Sequence, residues 1–292
     1  MGGNFTQVSG QPRARLAAVD VTTTPASLLP WNPGADARVR ALATDGTTVY
    51  VGGEFTSASG TLRNYAAAVD AVSGAINPTW NPSPSNHVRA MLVDTTHVYV
   101  GGIFQSIGGQ PLHGVGMIQK TTGLAEAWSH TGADLYVHAL ALRNNVLYCG
   151  GFFRQMGGFP RDMLAAIDVT SGNVTPWNPG ADRAVESLSV YGNTLFVGGS
   201  FTQLGGEQHI RLGAVSTVTG LPIGCNFDCN NVVRALGVAL SGNLVAGGDF
   251  TAIGGLPVTG FAMFGLAPTS GIEDWGKYLE FPVSPMAGPG SH

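Results

Sequence analysis

One sequence pattern recurs along almost the whole chain in constant phase. Each copy of Gly-Gly-x-Phe is followed five residues later by another glycine, then by a run of small apolar residues and, in most copies, by a tryptophan. A run similar to Val-Arg-Ala-Leu completes the unit. The spacing is about 49 residues, which is in the range of propeller blades. The copies begin at Gly2, Gly52, Gly101, Gly150, Gly198 and Gly247.

Each unit is predicted to form four short strands. The stretches VRALATDG (39–46) and TTVYVGGEF (47–55) are rich in β-branched and aromatic residues, and YAAAVD (65–70) and INPTW (76–80) follow. Glycine and β-branched residues interrupt every window that could form a helix. We therefore predict an all-β, six-bladed β-propeller with four antiparallel strands per blade, because a ring protects the strand edges that an open stack leaves exposed.

The repeat leaves room for one domain, which we place at residues 1–284. The predicted units lie near 39–87, 88–136, 137–184, 185–232 and 233–275, and a closing blade combines 2–38 with 277–284. Residues 2–38 lack a first strand, and the apolar residues of 277–284 are the ones left to supply it. The alternative is a longer parent protein that contains the missing strand, with a sixth blade incomplete here or with seven blades in all. Residues 285–292 are predicted to be a tail or an expression remnant.

Charge and cysteine content limit the partners and the compartment. The net charge is −4, only 11% of the residues are charged and no basic run occurs, which argues against nucleic acid or an anionic membrane as a partner. No apolar stretch approaches the roughly 18 residues of a membrane span. Cys225 and Cys229 could form a local disulfide, with reduced thiols as the alternative. Low charge and a possible disulfide favour an extracellular or cell-surface setting.

The repeat resembles known propeller repeats. A glycine pair after an apolar strand, then a small-apolar strand and a tryptophan, is similar to the kelch repeat. VYVGGEFT (49–56), the second glycine pairs at 205–206 and 254–255, and Trp-Asn-Pro resemble more closely the bacterial "delta-sixty" propeller repeats and the propeller of fungal cortical polarity-marker proteins. The resemblance covers about residues 2–275 and implies the fold. Those repeats occur mostly in large secreted or surface proteins that share no catalytic motif, so it implies no activity.

Polar residues recur in the loops that lead from one unit to the next. Three positions before the following valine stand Asp36, Ser85, Asp134, Asp182 and Asn230. We expect a polar ring near the mouth of the channel, able to bind a cation such as calcium or the hydroxyl groups of a sugar. The alternative is that each side chain caps a turn by accepting backbone hydrogen bonds.

Two sets of basic residues keep the same phase. Arg13, Arg63 and Arg161, with His209, are expected to pair with the aspartates of a neighbouring blade, or to join them in binding an anionic or polyhydroxylated ligand. Arg40, Arg89 and Arg234 begin the innermost strand and are expected to face one common space, with His138 and Glu186 at the matching positions. Glu186 makes one sector of that space chemically different.

These observations leave three functions open. The chain lacks the Gly-x-Ser-x-Gly elbow, His-Glu-x-x-His and cysteine pairs at zinc spacing, and we expect no cofactor. We favour a non-catalytic extracellular recognition or assembly module for a protein or glycan ligand. The second hypothesis is a carbohydrate-active enzyme that uses Asp36, Asp134 and Asp182. The third is a structural subunit of a surface layer or filament.

Overall fold

Antiparallel sheets repeat along the chain in the computed structural model, which describes residues 1–128, 131–224, 227–239 and 242–265. In each of five full units a first, a second and a third strand are hydrogen-bonded in that order. The first strands are Val39–Thr44, Val88–Val93, Tyr136–Arg143, Val185–Tyr191 and Val233–Val238. The second strands are Thr48–Gly53, His97–Gly102, Val146–Phe152, Thr194–Gly199 and Leu244–Gly248. The third strands are Ala66–Asp70, Val115–Gln119, Leu164–Asp168, Leu212–Ser216 and Phe261–Phe264.

The fourth strand is shorter than the sequence predicted. It forms two-residue pairs in some units and single bridges, such as Val69–Ile76, in others. The side chain of Asn77 accepts hydrogen bonds from the backbone N–H groups of Thr79 and Trp80, and Pro78 has no N–H to donate. The prediction of a full strand over residues 76–80 was therefore wrong. The two-residue strands are Ser27–Leu28, Asn173–Val174 and Pro222–Ile223, the first paired with Val19–Asp20 of the N-terminal residues.

A small hairpin between the second and third strands was not predicted. In the first full unit Ser57–Ala58 pairs with Thr61–Leu62 around Ser59 and Gly60, which both have positive φ. Positive φ at both central residues is the signature of the hairpin turn that matches strand twist. The other hairpins are Gln7–Val8 with Gln11–Pro12, Gln155–Met156 with Phe159–Pro160, Gln203–Leu204 with Glu207–Gln208, and Ala252–Ile253 with Leu256–Pro257.

The core lies between consecutive units rather than inside any one of them. Ala66 and Ala68 of one sheet, for example, pack against Val88, Val98 and Val100 of the next. The phenylalanines of the repeat in the five full units are almost fully buried: Phe55, Phe104, Phe153, Phe201 and Phe250. Two tryptophan indoles donate hydrogen bonds into the following unit, Trp31 to Asp70 O at 3.0 Å and Trp177 to Ser216 O at 2.9 Å. Trp31 and Trp177 therefore join consecutive units to each other.

The two glycines of each pair avoid different collisions. A Cβ at Gly52 would lie 2.4 Å from Cγ1 of Val88 in the next unit, whereas a Cβ at Gly53 would lie 2.2 Å from the carbonyl oxygen of Arg38 in its own unit. The first glycine therefore allows neighbouring units to approach, and the second allows two strands of the same sheet to approach.

One face of the last described sheet is left largely exposed by the other described residues. Phe261 and Met263 are 61% and 41% exposed, although the corresponding Ala66 and Ala68 are fully buried. A Cβ at Gly247 would find no described atom closer than 3.9 Å. The predicted tail strand at 277–284 and the tail at 285–292 lie outside the described residues. The described part of the chain contains no helix, and hence none long and apolar enough to cross a membrane.

Candidate functional site

A β-bulge follows the first valine of every first strand. In the first full unit Val39 pairs with Gly53 and Ala41 pairs with Gly52, so that Arg40 is left without a partner in the ladder. A bulge bends the strand and redirects the side chain of the extra residue. The same register shift occurs in the other four units, at Arg89, His138, Glu186 and Arg234.

The five bulged residues line one pocket of about 600 Å³, which we call the bulge pocket. The N-terminal residues Gly2, Gly3 and Asn4 complete it, with Arg38 and Val39. Every unit of the chain thus contributes to the same space. The sequence analysis predicted that Arg40, Arg89, Arg234, His138 and Glu186 face one common space. It did not predict that Arg38 lines the same space, although Arg38 lies two residues before the bulged Arg40.

Two arginines of the pocket are neutralised within their own unit. Arg40 is paired with Glu54, and Arg234 donates through Nε and Nη2 to the carboxylate of Asp249. In both units the acid is the residue directly after the glycine pair. The hydrogen bond that Arg234 donates to Asp249 is the main reason why the pKa of Arg234 is raised.

A histidine and a glutamate of consecutive units face each other in the pocket. His138 Nδ1 lies 3.3 Å from Glu186 Oε2. Hydrogen bonding by His138 lowers the pKa of Glu186 more than burial raises it, and Arg234 and Arg89 lower it further. Glu186 is therefore ionised at neutral pH. Beside it, the ring of Tyr136 stacks on His138 with an interplanar angle of 11° and remains 42% exposed.

Among the three arginines at the bulges, Arg89 differs from Arg40 and Arg234 because it has no acidic partner in its unit. The residue after its glycine pair is Ile103, where the other units have Glu54 and Asp249. The guanidinium of Arg89 makes no hydrogen bond or ion pair with the described residues, and its Nε is buried. Burial, and then repulsion by Arg40, lower the pKa of Arg89. Arginine remains protonated at neutral pH even so, which leaves an unpaired cation in the pocket.

The residues of the predicted polar ring cap turns, which is the alternative that the sequence left open. Asp36 Oδ1 accepts hydrogen bonds from the N–H groups of Thr56 (2.8 Å) and Ser57 (3.0 Å), and Oδ2 accepts one from the Thr56 hydroxyl (2.7 Å). Burial alone would raise the pKa of Asp36, but these hydrogen bonds lower it overall. Ser85, Asp134, Asp182 and Asn230 cap the following unit in the same way, and none of the set lines the bulge pocket.

The expected pairs between arginines and these aspartates do not form. Arg63 donates from Nη1 to Leu62 O at 2.9 Å and from Nη2 to the carbonyl oxygens of Asn77 and Pro78 at 3.2 and 3.3 Å. Arg13 and Arg161 bind backbone carbonyls in the same manner. The short fourth strand leaves these carbonyls without ladder partners, and the guanidinium groups satisfy them. His209 is buried, 4.0 Å from Glu207.

The metal and disulfide expectations concern residues outside the pocket. Among the residues that the structure describes, no group of three or more His, Cys, Asp or Glu could hold a metal ion. Cys229 is buried, its thiol donates to Phe227 O at 3.2 Å, and burial followed by the charge of Asp228 raises its pKa to about 12. Cys225 lies outside the described residues, so a pairing of the two stays a prediction.

Comparison with known proteins gives evidence on the fold alone. No family model matches the sequence, and no curated protein matches it. Among solved structures, the chain is similar to a computationally designed protein, Ika8, with a TM-score of 0.54 and 17% identity over 75% of this chain. The chain spans 58% of the length of that protein. A second designed protein, Ika4, aligns with a TM-score of 0.43 and 18% identity, over 56% of this chain and 87% of its own.

Proposed function

We propose that this chain is a closed six-bladed β-propeller of the kelch-like, "delta-sixty" type that acts outside the cell or at its surface as a non-catalytic recognition module. Its ligand, a glycan or a protein, binds in the bulge pocket. One observation carries the proposal: five equivalent positions, which hold three arginines, one histidine and one glutamate, converge on one pocket, although the positions around them repeat a fixed framework.

The composition of the pocket supports the ring. Asn4 near the start of the chain and Arg234 of the last described unit line the same space, which a linear stack of units would not allow. In the proposed ring, a strand from residues 277–284 completes the blade begun by residues 2–38. Deleting residues 277–292 is then expected to lower the urea midpoint of unfolding, whereas deleting 285–292 leaves it unchanged. Equal midpoints for the two deletions would refute this closure.

The distribution of free polar groups favours binding in the pocket over hydrolysis by the loop aspartates. Asp36, Asp134 and Asp182 are all used to hold backbone N–H groups. A general acid requires a raised pKa, but hydrogen bonds hold the pKa of Asp36 and Asp182 below the usual range against the opposing effect of burial. Nothing in their geometry supports a carbohydrate-active enzyme, so we propose recognition alone.

A binding screen with a blocked pocket tests this function. The purified chain is applied to an array of glycans and extracellular proteins, in parallel with Asn4→Trp, which places a bulky ring at the exposed pocket edge, and with Thr22→Trp, an exposed control in another loop. We expect at least one ligand on the array to bind the wild type and Thr22→Trp but not Asn4→Trp. Equal retention by all three proteins, or no retention of any ligand, would refute the assignment.

A further inference from the structure

We propose that the bulge pocket recognises the carboxylate of an acidic saccharide through Arg89. This inference rests on the proposed function and specifies its ligand class. Arg89 carries the one guanidinium at a bulge of the described units that is half-buried and unpaired. A guanidinium binds a carboxylate through two parallel hydrogen bonds, so the missing partner is supplied by the ligand.

Two other units of the repeat show how a guanidinium at the bulge is paired with a carboxylate. Arg40 and Arg234 lie at the bulges of their own units, in positions equivalent to that of Arg89, and each is held by the acid after its glycine pair. At that position the unit of Arg89 has Ile103, which offers no acceptor. A carboxylate bound to Arg89 would therefore reproduce, from outside the chain, an interaction that the fold already builds twice.

Other groups in the pocket favour a saccharide as the carrier of the carboxylate. The Asn4 side chain is exposed at the pocket edge, and Glu186 faces His138 with one oxygen while Oε1 has no described partner. Amide and carboxylate oxygens accept hydrogen bonds from hydroxyl groups. The exposed ring of Tyr136 offers an apolar surface to the C–H groups of a sugar ring.

The charge of the pocket favours a single negative charge on the ligand. Glu186 is ionised, with a pKa lowered by His138, and it lies close enough to Arg89 for the two charges to interact. A doubly charged anion such as a phosphate monoester or inorganic sulfate would be repelled by this glutamate more strongly than a carboxylate. We therefore assign the site to uronic acids and related sugar carboxylates.

Calorimetric titration tests the assignment with four probes: methyl glucuronide, methyl glucoside, acetate and inorganic sulfate. We expect the glucuronide to bind most tightly, because it alone combines the carboxylate with the hydroxyl groups. Replacing Arg89 by alanine is expected to weaken its binding at least about tenfold, the loss typical of a charge-assisted hydrogen bond. Arg183→Ala, an exposed arginine that does not line the pocket, is the control.

A second variant tests whether binding requires Arg89 to be unpaired, rather than merely present. Ile103→Glu places an acid where the first full unit has Glu54, so it is expected to fold, to pair with Arg89 and to weaken glucuronide binding at least about tenfold. Val72→Glu adds the same charge at a residue that is 88% exposed and should leave binding unchanged. Unchanged binding in Ile103→Glu, or sulfate binding tighter than glucuronide, would overturn the proposal.

The outcomes also separate this inference from the function on which it rests. Suppose that a neutral glycan binds the wild type and Arg89→Ala equally but does not bind Asn4→Trp. This result would refute the carboxylate assignment and leave recognition by the pocket intact. A protein that binds no probe and retains nothing in the array refutes both.

Discussion

Gly53→Ala is the substitution whose effect follows most directly from the structure. The new Cβ would lie 2.2 Å from the carbonyl oxygen of Arg38 and 3.1 Å from Cα of Val39. Both are backbone atoms of the paired first strand, at the bulge, so no side-chain rotation relieves the collision. The two strands must separate, and the hydrogen bond from Glu54 N to Arg38 O, now 2.9 Å, is strained or lost.

The magnitude combines three effects. Forcing extra volume into a packed site costs about 1–3 kcal/mol, and losing one hydrogen bond costs about 1 kcal/mol. Alanine also restricts the unfolded chain, which offsets about 0.4–1 kcal/mol. We expect a net loss of about 2–3 kcal/mol in the free energy of unfolding, with the bulge residue Arg40 displaced as well.

Urea unfolding followed by tryptophan fluorescence measures the loss, and Gly3→Ala is the matched control. Gly3 occupies the same place in the repeat, but the nearest described atom to its Cβ would be Cδ1 of the Phe5 ring at 3.1 Å, which can move. We expect this control to change the free energy of unfolding by less than about 1 kcal/mol. Similar losses for Gly53→Ala and Gly3→Ala would refute the argument from the carbonyl contact.

Three further predictions concern the loops. Asp182→Ala removes the acceptor for two backbone N–H groups and one hydroxyl, and it should lower the free energy of unfolding in urea by about 1–3 kcal/mol. Asp182→Asn should cost less than half as much, because an asparagine, Asn230, fills the same role in another unit. Equal losses for the two variants would contradict the capping role. Because the pKa of Asp182 is lowered in the folded state, its contribution to stability is present above about pH 4 and is lost as the pH falls through the folded-state pKa. In a pH series, the urea midpoint should therefore decline less on acidification for Asp182→Asn than for the wild type. Arg63→Lys should cost about 1–2 kcal/mol, because one ammonium group cannot reach carbonyls on both sides of the loop as the guanidinium does, while Arg183→Lys, at an exposed position, should change stability by less than about 0.5 kcal/mol.

The unit boundaries could be predicted from the sequence because the framework residues repeat in phase. Glycine pairs and phenylalanines recur in every unit and tryptophans in most of them, and positions with one packing role tolerate few residue types. The fourth strand could not be predicted in the same way. Residues 76–80 have suitable β propensity, but the Asn77 side chain takes backbone N–H groups that a longer ladder would need.

The candidate site was predictable in part. Phase alone grouped Arg40 with Arg89, but the bulge that makes them line a pocket depends on the collision avoided at Gly53, which no local pattern displays. Comparing Ile103 with Glu54 and Asp249 would have singled out Arg89 from the sequence. The roles of Asp36 and Asp182 were left open because their partners lie in the hairpin of the following unit, some 20 residues away.

The bulge also has an evolutionary consequence. A bulged residue such as Arg40 or Glu186 has no ladder partner and lies outside the apolar clusters, so a substitution there is expected to disturb the fold less than one at a glycine pair or a repeat phenylalanine. Repeat duplication would therefore have created a set of neighbouring positions that diverge one at a time, each changing specificity while the scaffold persists. Randomising these positions in the laboratory would exploit the same freedom that hypervariable loops give to an antibody.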